Sequence, residues 1–552
     1  MTTLVVLPLD DRPVNYDYPR LLGAIANIDV LLPPREWLGN PWRQANHEAL
    51  LPWLREHAAT ADGLVVAIDT LAYGGLIPSR TTSAPFTSVL PRLNTLADLK
   101  AQRPECPIYA FSVIQRVSRD NSSEEEQPYW AEYGSRMFRL SYLEHKAELS
   151  EASHIELAEA YSLRHSIPAD FYADYAAIRA RNHAVNQHML TMVQDGVVDY
   201  LLLPQDDTAE FGWNIAEARR LQASIRRNGL TERAISYPGA DEIGCLLLAR
   251  FVCTQTACFP TVYPRFSSSG SATLLTAYED RPMLELLKAH LAPLGGSIAP
   301  QADTADIQLF INAPALQQGI GEYQWLAQFP KEELLQRLPA AVHQHIDDIF
   351  MNADFQATRR EMQTPRRSPE EFCRAINAAV RRNTIVAIAD VAFVNGSDLI
   401  LGQQLLQQPA CSQLAAYGGW NTAGNTLGTV LAQAAILLVA QRQGMTKTQQ
   451  RMQLEFLALR FLDDYCYQAV ERSACMFEDL PNLHLTPSEA RLEDGAIASA
   501  IEKKVAERLL RQATLLEKSF QAGGKLCGLR ITNVHLPWQR LFEVGFTVEV
   551  DI

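Results

Sequence analysis

Short runs of apolar residues recur along the first half of the chain, and longer stretches with helical spacing separate them. The runs are apolar throughout rather than alternating, which is typical of strands that are covered on both faces. Strands of this kind that alternate with helices predict a parallel sheet built from β-α-β units. The predicted strands are residues 4–9, 29–34, 63–68, 107–114, 197–204 and 233–238.

A second series of apolar runs begins near residue 260 and predicts a second parallel sheet, with strands at 260–266, 306–314, 384–390 and 413–419. A polar, mostly helical stretch at about 318–380 interrupts this series and indicates an insertion or lid. The apolar run Leu427–Ala440 contains Gln433 and is too short to span a bilayer, so it predicts a buried helix. Two alternating runs within 526–551 predict terminal β-strands.

The chain has 552 residues, which is too long for one ordinary hydrophobic core. We predict an α/β protein with parallel sheets, in which two doubly wound, Rossmann-like lobes face a cleft and a C-terminal α/β appendage follows. The predicted boundaries are 1–255 for the first lobe, 256–445 for the second, and 446–552 for a helical segment with terminal strands. The alternative is a (β/α)8-like barrel followed by a second α/β domain.

Charge and cysteine usage narrow the class of protein. The net charge is -14, the pI is about 5.4 and no stretch is strongly basic, which argues against a nucleic-acid partner. The nine cysteines form no CxxC pair, and free thiols are typical of a reducing compartment. The N-terminus has no basic region of the kind that opens a signal peptide. We expect a cytoplasmic protein without a membrane partner, and homo-oligomerisation stays open.

Dense polar clusters follow nearly every predicted strand on its C-terminal side. Ligands of parallel α/β folds bind outside the carboxyl ends of the strands. One open sheet brings only a few such loops together, so clusters this numerous predict one large polar pocket between two lobes or on a closed barrel. The candidate substrate-binding residues are Asp10, Asp11, Arg12, Asn15, Asp69, Tyr73, Arg80, Arg116, Asp390, Asn395, Asp398, Trp420, Asn421 and Asn425.

Some polar residues have a simpler structural interpretation. An Asp that follows a strand is often the N-cap of the next helix. The segment Ser122–Glu125 is typical of a capping box, so we expect the acidic run Glu124–Glu126 to form the solvated first turn of a helix. Asp463 and Asp464 lie within a helical pattern, where we expect a surface or interface pair rather than a catalytic one.

The clusters contain no histidine, which disfavours a zinc site and a Ser-His-Asp triad. Neither a P-loop nor a strand followed by GxGxxG occurs, so no nucleotide cofactor is indicated. The glycine-rich segment 418–424 precedes a helix and could hold an anion there, although a tight turn explains it equally well. The chemistry that remains for these clusters is that of carboxyl groups, which Asn, Arg, Tyr and Trp side chains accompany in the same clusters.

Two pairs of consecutive acids, Asp206–Asp207 and Asp241–Glu242, are the candidate catalytic residues. In glycoside hydrolysis one carboxyl group protonates the leaving oxygen, and another acts as nucleophile, base or orienting group. Both members of a pair can serve one pocket only where the chain turns, and each pair follows a predicted strand. The pairs resemble those of hexosaminidases with substrate-assisted catalysis, in which the first acid orients the acetamido group and the second protonates the leaving oxygen.

The preferred interpretation is therefore a hydrolase for a glycosidic bond of a small saccharide or glycoconjugate, with an N-acetylated hexosamine as one candidate. Asp207 would be the general acid, Asp206 would orient the substrate or act as base, and Trp420 would stack on a sugar ring. Arg80 and Arg116 would be available for a carboxylate or phosphate of the substrate.

Two alternatives stay open, because acidic and amide oxygens also suit Mg²⁺ and Mn²⁺. The first is a sugar isomerase or phosphohydrolase that depends on one of these ions. The second is a non-catalytic, two-lobed protein that binds sugar. In the preferred interpretation no cofactor is needed.

Seven longer motifs carry a family resemblance: PLDDRPVN, DTLAYGGLIPSR, QRVSRDNSSEEEQPYW, LLLPQDDTAEFGWN, YPGADE, ADVAFVNGSD and GGWNTAGNTLG. The chain resembles the bacterial family DUF4127, whose function is not established, from its first residue to about residue 440. The resemblance implies that these motifs form one coherent site, and it implies no particular reaction.

Overall fold

Two parallel β-sheets organise the chain in the computed structural model, which describes residues 2–486, 492 and 494–552. Contacts divide the chain into two compact units. Unit 1 comprises Met1–Gly23, Asn27–Phe251 and Tyr278–Asp280, and unit 2 comprises Ala24–Ala26, Val252–Ala277 and Arg281–Ile552.

The sheet of unit 1 has six strands: β1 (Thr2–Leu7), β2 (Ile28–Leu31), β3 (Gly63–Ala67), β4 (Ile108–Phe111), β5 (Tyr200–Gln205) and β6 (Ala234–Pro238). Their order is β2-β1-β3-β4-β5-β6, and every pair is parallel. The order reverses between β1 and β3, the position where a ligand binds in a doubly wound sheet. The six predicted strands are confirmed.

The sheet is buried on both faces, which explains the unbroken apolar runs. In β3, β4 and β5 every residue is buried, as are the last four residues of β1. Leu7, Val66 and Leu203 belong to one core that also includes residues of the covering helices. Truncating such a side chain to alanine costs about 2–5 kcal/mol. This rigid core fixes the loops that follow the strands.

The second sheet lies in unit 2 and repeats the same kind of strand order. Its strands are β7 (Thr261–Phe266), β8 (Ser297–Ile298), β9 (Ile307–Asn312), β11 (Ile385–Asp390) and β13 (Ala416–Gly418), in the parallel order β13-β11-β9-β7-β8. Two short parallel strands, β10 (Gly319–Ile320) and β12 (Phe393–Val394), pair with each other. The terminal strands β14 (Gly528–His535) and β15 (Gly545–Asp551) form an antiparallel pair.

The strands of both series and the terminal pair thus agree with the sequence prediction. Across the described residues both large sheets are open, so the α/β interpretation with parallel sheets is confirmed and the closed barrel is wrong.

Helices connect the strands throughout. Before β7 they are Pro13–Ala26, His47–Ala58, Ile68–Tyr73, Leu76–Thr81, Phe86–Leu93, Thr95–Gln102, Trp130–Glu148, His154–Ser166, Ala169–Gln194, Trp213–Arg227 and Ile243–Thr256. After β7 they are Met283–Leu291, Gln324–Ala327, Lys331–Arg337, Ala340–His343, Ile346–Met351, Ala353–Gln363, Pro369–Val380, Leu399–Leu406, Ala423–Arg442, Lys447–Arg460, Arg472–Ala474, Leu480–Asn482 and Gly495–Ala522. Two π-helical segments, Phe461–Glu471 and Cys475–Asp479, continue the helix that ends at Arg460.

The helix Ala423–Arg442 is long and apolar enough to cross a membrane by length and composition alone. Its whole apolar window is buried inside the structure, so it is a core helix, as the sequence predicts.

Candidate active site

The loop after β1 places a buried ion-pair cluster at the carboxyl edge of the first sheet, beside the reversal of strand order. Arg12 Nη2 donates to Asp10 at 2.7 Å and to Asp241 at 2.5 Å. Asn15 Nδ2 donates to the same two carboxylates, at 3.0 and 3.3 Å. Asp241 lies between β6 and the helix Ile243–Thr256. The cluster therefore connects the loop after β1, the first strand of this sheet in the chain, with the loop after β6, the last one.

Burial raises the pKa of Asp241 to about 7, and the charges of Asp10 and Asp206 raise it further against the opposing effect of Arg12. The neighbouring acid Glu242 folds back onto its own turn, where it accepts a hydrogen bond from the Ala240 amide at 3.0 Å. This close turn requires glycine at position 239, where φ is +139° and a Cβ would lie 2.2 Å from Glu242 Oε1.

A larger cluster is built from the segments that follow β3, β4 and β5, and we call it the acid–arginine network. It consists of Arg80, Arg116, Glu125, Glu126, Asp206 and Asp207. Arg80 donates to Asp206 at 2.5 Å and to Glu125 at 3.0 Å. Arg116 Nη2 donates to Glu125 at 3.1 Å, and its Nε donates to Glu126 at 2.9 Å. Its Nη1 donates to Asp207 at 3.1 Å. Two guanidinium groups therefore hold four carboxyl groups together.

The position of Glu125 and Glu126 corrects the sequence analysis. The next helix begins at Trp130, so residues 122–126 form no capping box, and the side chain of Glu126 is only 2% exposed. The predicted first turn of a helix is wrong, and within the acidic run only Glu124 is exposed, because the guanidinium groups of Arg80 and Arg116 draw the carboxylates of Glu125 and Glu126 inward. Arg80 and Arg116 each contact three acids of the protein, and their availability for an anion of the substrate stays a prediction.

Asp207 is the most accessible of the network's acids. Its side chain is 30% exposed, against 10% for Asp206. Its backbone is left-handed, with φ at +38°, a conformation that costs a non-glycine residue free energy and often occurs at functional sites. Asn214 Nδ2 donates to the Asp207 carbonyl at 3.1 Å and holds this turn. Burial raises the pKa of Asp207 to about 6, and the charge of Asp206 adds to the increase while both arginines oppose it.

Asp69 and Tyr73 follow β3 but lie beneath the surface of the site. Asp69 accepts a hydrogen bond from the Val113 amide at 2.9 Å, and burial raises its pKa to about 7. The Tyr73 ring lies under the Arg181 guanidinium, 4.5 Å from its Cζ. Asp11 is partly exposed, and its carbonyl accepts a hydrogen bond from Arg35. These residues shape the loops around the two clusters.

Several buried polar atoms at this edge of the first sheet have no hydrogen-bond partner within the described chain, among them Arg80 Nε, Gln115 Nε2, Glu126 Oε2 and Gln205 Oε1. Their residues are at most 4% exposed. An unsatisfied buried polar group costs about 1–3 kcal/mol, so native structures rarely keep several of them together without a ligand or solvent. Two of these atoms are donors and two are acceptors, which suits a hydroxyl-rich ligand.

In unit 2 a third buried cluster lies at the carboxyl ends of β9 and β11. Asn312 Nδ2 donates to Asp390 at 2.8 Å and to Asp398 at 3.2 Å. Burial raises the pKa of Asp390 to about 8, and the charge of Asp398 contributes. Burial acts in the same direction on Asp398, but the ion pair with Arg367 holds the pKa of that carboxyl below its usual value.

Asp398 also accepts hydrogen bonds from the Ile400 and Leu401 amides, as the N-cap of the helix Leu399–Leu406. Arg367 is held in turn by Glu361, whose carboxylate accepts amide hydrogen bonds from Ala315 and Leu316. Most polar atoms of this cluster are thus used within the protein, which indicates a structural contribution.

The remaining predicted residues lie in the glycine-rich turn after β13 and beside it. Trp420 is only 4% exposed, and its ring centroid lies 5.9 Å from that of Phe542, so it presents no open stacking face. Asn395 and Asn421 both have left-handed backbones, and the Asn395 amide donates to the Asn421 carbonyl at 3.0 Å. The Asn425 amide donates to the N-cap hydroxyl of Thr422.

Asp463 and Asp464 are buried in the π-helical segment Phe461–Glu471, so the predicted surface placement is wrong. Asp464 forms an ion pair with Arg460 and accepts a hydrogen bond from the Gly419 amide at 2.6 Å. The π-helical stretch thereby fixes the glycine-rich turn.

Sequence reasoning missed Asn312, Glu361 and Arg367, and it misplaced Asp464, Glu125 and Glu126. Asn312 lies near the end of the predicted strand 306–314, so its position was a usable signal. Arg367 lies in the helical stretch assigned to the insertion, where nothing local marks it.

Among the described residues, no three His, Cys, Asp or Glu side chains converge as they would around a metal ion. The two clusters of the first sheet lie in unit 1 and the cluster around Asp390 lies in unit 2, so the single pocket expected from the sequence stays a prediction.

The fold and the strand-end clusters define a two-unit α/β protein with buried acid–arginine ion pairs. The family described as "Protein of unknown function (DUF4127)" matches residues 4–547 of the chain. The chain belongs to this family. No curated protein and no solved structure matches it.

Proposed function

We propose that the protein hydrolyses a glycosidic bond of a small saccharide or glycoconjugate, with Asp207 as general acid. The observation that carries the proposal is the different environment of two consecutive acids. Asp206 is buried in an ion pair with Arg80, whereas Asp207 is partly exposed and its pKa is raised to about 6. In glycosidases, two neighbouring carboxyl groups take different roles when their environments differ. The group with the raised pKa acts as the acid, and the other acts as the base or orients the substrate.

In the proposed reaction, protonated Asp207 donates its proton to the leaving oxygen as the bond from that oxygen to the anomeric carbon breaks. Asp206 orients the substrate or accepts a proton from the attacking water, and that water's oxygen forms the new bond to the anomeric carbon. Asp241 and Glu242 are the rival pair, but Arg12 and the turn at Ala240 already hold their carboxylates. The polar atoms of the unit 1 site would bind sugar hydroxyls. We expect catalysis in the cytoplasm, without a nucleic-acid or membrane partner.

The experiment is turnover of a panel of aryl glycosides of both anomers, which includes N-acetylated hexosaminides. Wild-type protein is compared with Asp207→Asn and with Asp195→Asn, a control at an exposed aspartate. Hydrolysis that Asp207→Asn lowers at least about a hundredfold and that Asp195→Asn leaves unchanged supports the proposal. A panel hydrolysed equally well by all three proteins contradicts it.

A further inference from the structure

We propose that the helix His154–Ser166 is a docking surface at which two copies of this chain pair with each other, antiparallel across Ala158. The inference is independent of the proposed hydrolysis, and it concerns a part of unit 1 that the candidate site does not use. The structural basis is the distribution of charged and apolar side chains around this helix.

The charged side chains of the helix lie on the half that faces the protein. Glu156 accepts a hydrogen bond from Lys146 at 2.6 Å, and Glu159 accepts two from Arg139, both at 2.8 Å. Arg164 is also partly buried, with its Cζ 3.7 Å from the centre of a tyrosine ring. A surface helix usually has the opposite arrangement, in which the charged side chains face the solvent. This helix spends its charges on internal ion pairs and leaves its other half without them.

The exposed half of the helix is apolar, and we call it the exposed face. The structure describes the whole helix, and the exposed face consists of His154, Ile155, Leu157, Ala158, Tyr161 and His165 together with the two serines of the helix. At 3.6 residues per turn these positions cover about half of the circumference. Ile155 is 82% exposed, Tyr161 69% and Leu157 43%. Large apolar side chains that share one face without an acid, lysine or arginine among them are typical of an interaction site.

Charge decides which partner fits the exposed face. The net charge of the chain is -14, which keeps two copies apart unless they meet where neither presents an acid. The exposed face is such a place. Helices that lie on anionic membranes carry several lysines and arginines on their polar half, whereas this helix has one arginine and two glutamates there. A second copy of the chain is therefore the partner that the face fits.

The order of residues along the helix suits antiparallel pairing about a twofold axis. When the axis passes Ala158, each residue meets the residue that lies equally far on the other side of Ala158 in the second copy. Ile155 then meets Tyr161, because each is three positions from Ala158. The exposed Glu151, just before the helix, comes near His165 at the end of the second helix. Alanine at the crossing point lets the two helices approach closely.

The size of the exposed face sets the affinity that we expect. A helix of 13 residues is about 20 Å long. Stable interfaces bury about 800 Å² on each partner, and one half of a helix this short offers less. The dimer should therefore be reversible and dissociate on dilution, with a Kd in the micromolar range of about 1–100 μM.

Sedimentation velocity over about 1–200 μM protein tests the dimer. The weight-average mass of the wild type should rise from the monomer value of 61.6 kDa toward twice that value. Ile155→Glu should raise Kd at least about tenfold, because it places two like charges in an apolar contact. Met351→Glu is the matched control, since Met351 is 84% exposed, and it should leave Kd unchanged. A wild type that stays monomeric throughout, or a dimer that Ile155→Glu leaves intact, overturns the proposal.

Cysteine cross-linking tests the position of the twofold axis. Ala158→Cys and Ser166→Cys are each made in a Cys527→Ser background, which removes the exposed native thiol. The two copies of residue 158 should meet at the axis, whereas the two copies of residue 166 should be about 24 Å apart. Mild oxidation should therefore link Ala158→Cys dimers at least about tenfold faster than Ser166→Cys dimers. Equal rates, or no dimer from Ala158→Cys, would refute the antiparallel pairing.

Flotation with phosphatidylcholine–phosphatidylserine vesicles tests the other kind of partner. Wild-type protein should remain unbound in this experiment. Vesicle binding that Ile155→Glu abolishes and Met351→Glu preserves would overturn the proposal, because it would identify a membrane as the partner of the exposed face.

Discussion

Asp206 and Asp207 are consecutive in the chain, yet their carboxylates bind different arginines and differ threefold in exposure, 10% against 30%. The left-handed backbone at Asp207 turns the chain between them. A strand would point the two side chains to opposite faces, and this turn instead lets both belong to one network. The proposed roles, with Asp207 as the general acid and Asp206 as the group that orients the substrate or acts as base, follow from this difference in environment.

The raised pKa of Asp207 predicts the pH dependence of catalysis. A general acid must be protonated, so kcat/KM should fall as the pH rises through about 6, the value to which burial raises this carboxyl. The measurement is kcat/KM for one glycoside across the acidic and neutral range. Asp195→Asn should reproduce the wild-type pH profile. In Asp207→Asn the decrease of kcat/KM with rising pH should be absent. A wild-type rate that increases steadily up to about pH 8 would contradict the assignment of the acid.

Loss of Arg80 should destabilise the protein strongly. Arg80→Gln leaves the buried carboxylates of Asp206 and Glu126 without their shared cation, and breaking a buried ion pair costs about 3–5 kcal/mol. The free energy of unfolding in urea measures this effect. Arg220→Gln is the matched control, because its pair with Glu148 is about half exposed on both sides, and it should change stability by about 0–1 kcal/mol. Equal effects of the two variants would show that the network carries little stability.

Asp390 should make stability depend on pH in the direction opposite to an ordinary aspartate. Its folded-state pKa is raised to about 8, mainly by burial, so the folded protein holds a proton that the unfolded chain releases near pH 4. This contribution is fully present below the unfolded pKa, declines as the pH rises, and is lost once the pH passes the folded value.

The test is the free energy of unfolding of wild type and Asp390→Asn at several pH values. Asp390→Asn lacks the titration, so its stability relative to wild type should improve as the pH is raised. The free energy of unfolding of Asp195→Asn should change with pH in the same way as that of the wild type. A difference between Asp390→Asn and wild type that is constant with pH would mean that Asp390 is charged in the folded protein.

The sequence predicts the sheets well and the site only in part. The strands are recognisable because both faces of each sheet are covered, which makes the runs continuously apolar. The turn at Asp206 and Asp207 is recognisable because it follows such a run directly. The network around it is not, because Arg80 and Glu125 are 45 positions apart and meet only in the folded chain. The spacing of the acids at 124–126 therefore predicted a helix cap, whereas Glu125 and Glu126 form ion pairs with Arg80, which is distant in the sequence.

The same reason explains the misplacement of Asp464. Its pattern is helical, but the partner that determines its burial is the glycine-rich turn at Gly419, 45 positions away. A π-helix brings Asp464 to Gly419, and this rare geometry has no simple hydrophobic period that could be recognised in the sequence.

Removal of metal ions tests the main alternative. Carboxylate acid–base catalysis needs no ion, so dialysis against EDTA should leave hydrolysis unchanged. Activity that EDTA abolishes and that Mg²⁺ or Mn²⁺ restores would instead support a metal-dependent sugar enzyme. Unfolding curves with and without EDTA serve as the control for loss of structure.

The dependence of Asp207→Asn on the leaving group tests the central claim most directly. Proton donation matters little for a nitrophenolate, which leaves without help, and it matters greatly for an alkyl or sugar alkoxide. The measurement is the ratio of wild-type to Asp207→Asn kcat/KM for a nitrophenyl glycoside and for the matching alkyl glycoside. We predict a ratio at least about tenfold larger for the alkyl glycoside. Equal ratios for the two substrates would contradict the assignment of Asp207 as the acid that protonates the leaving oxygen.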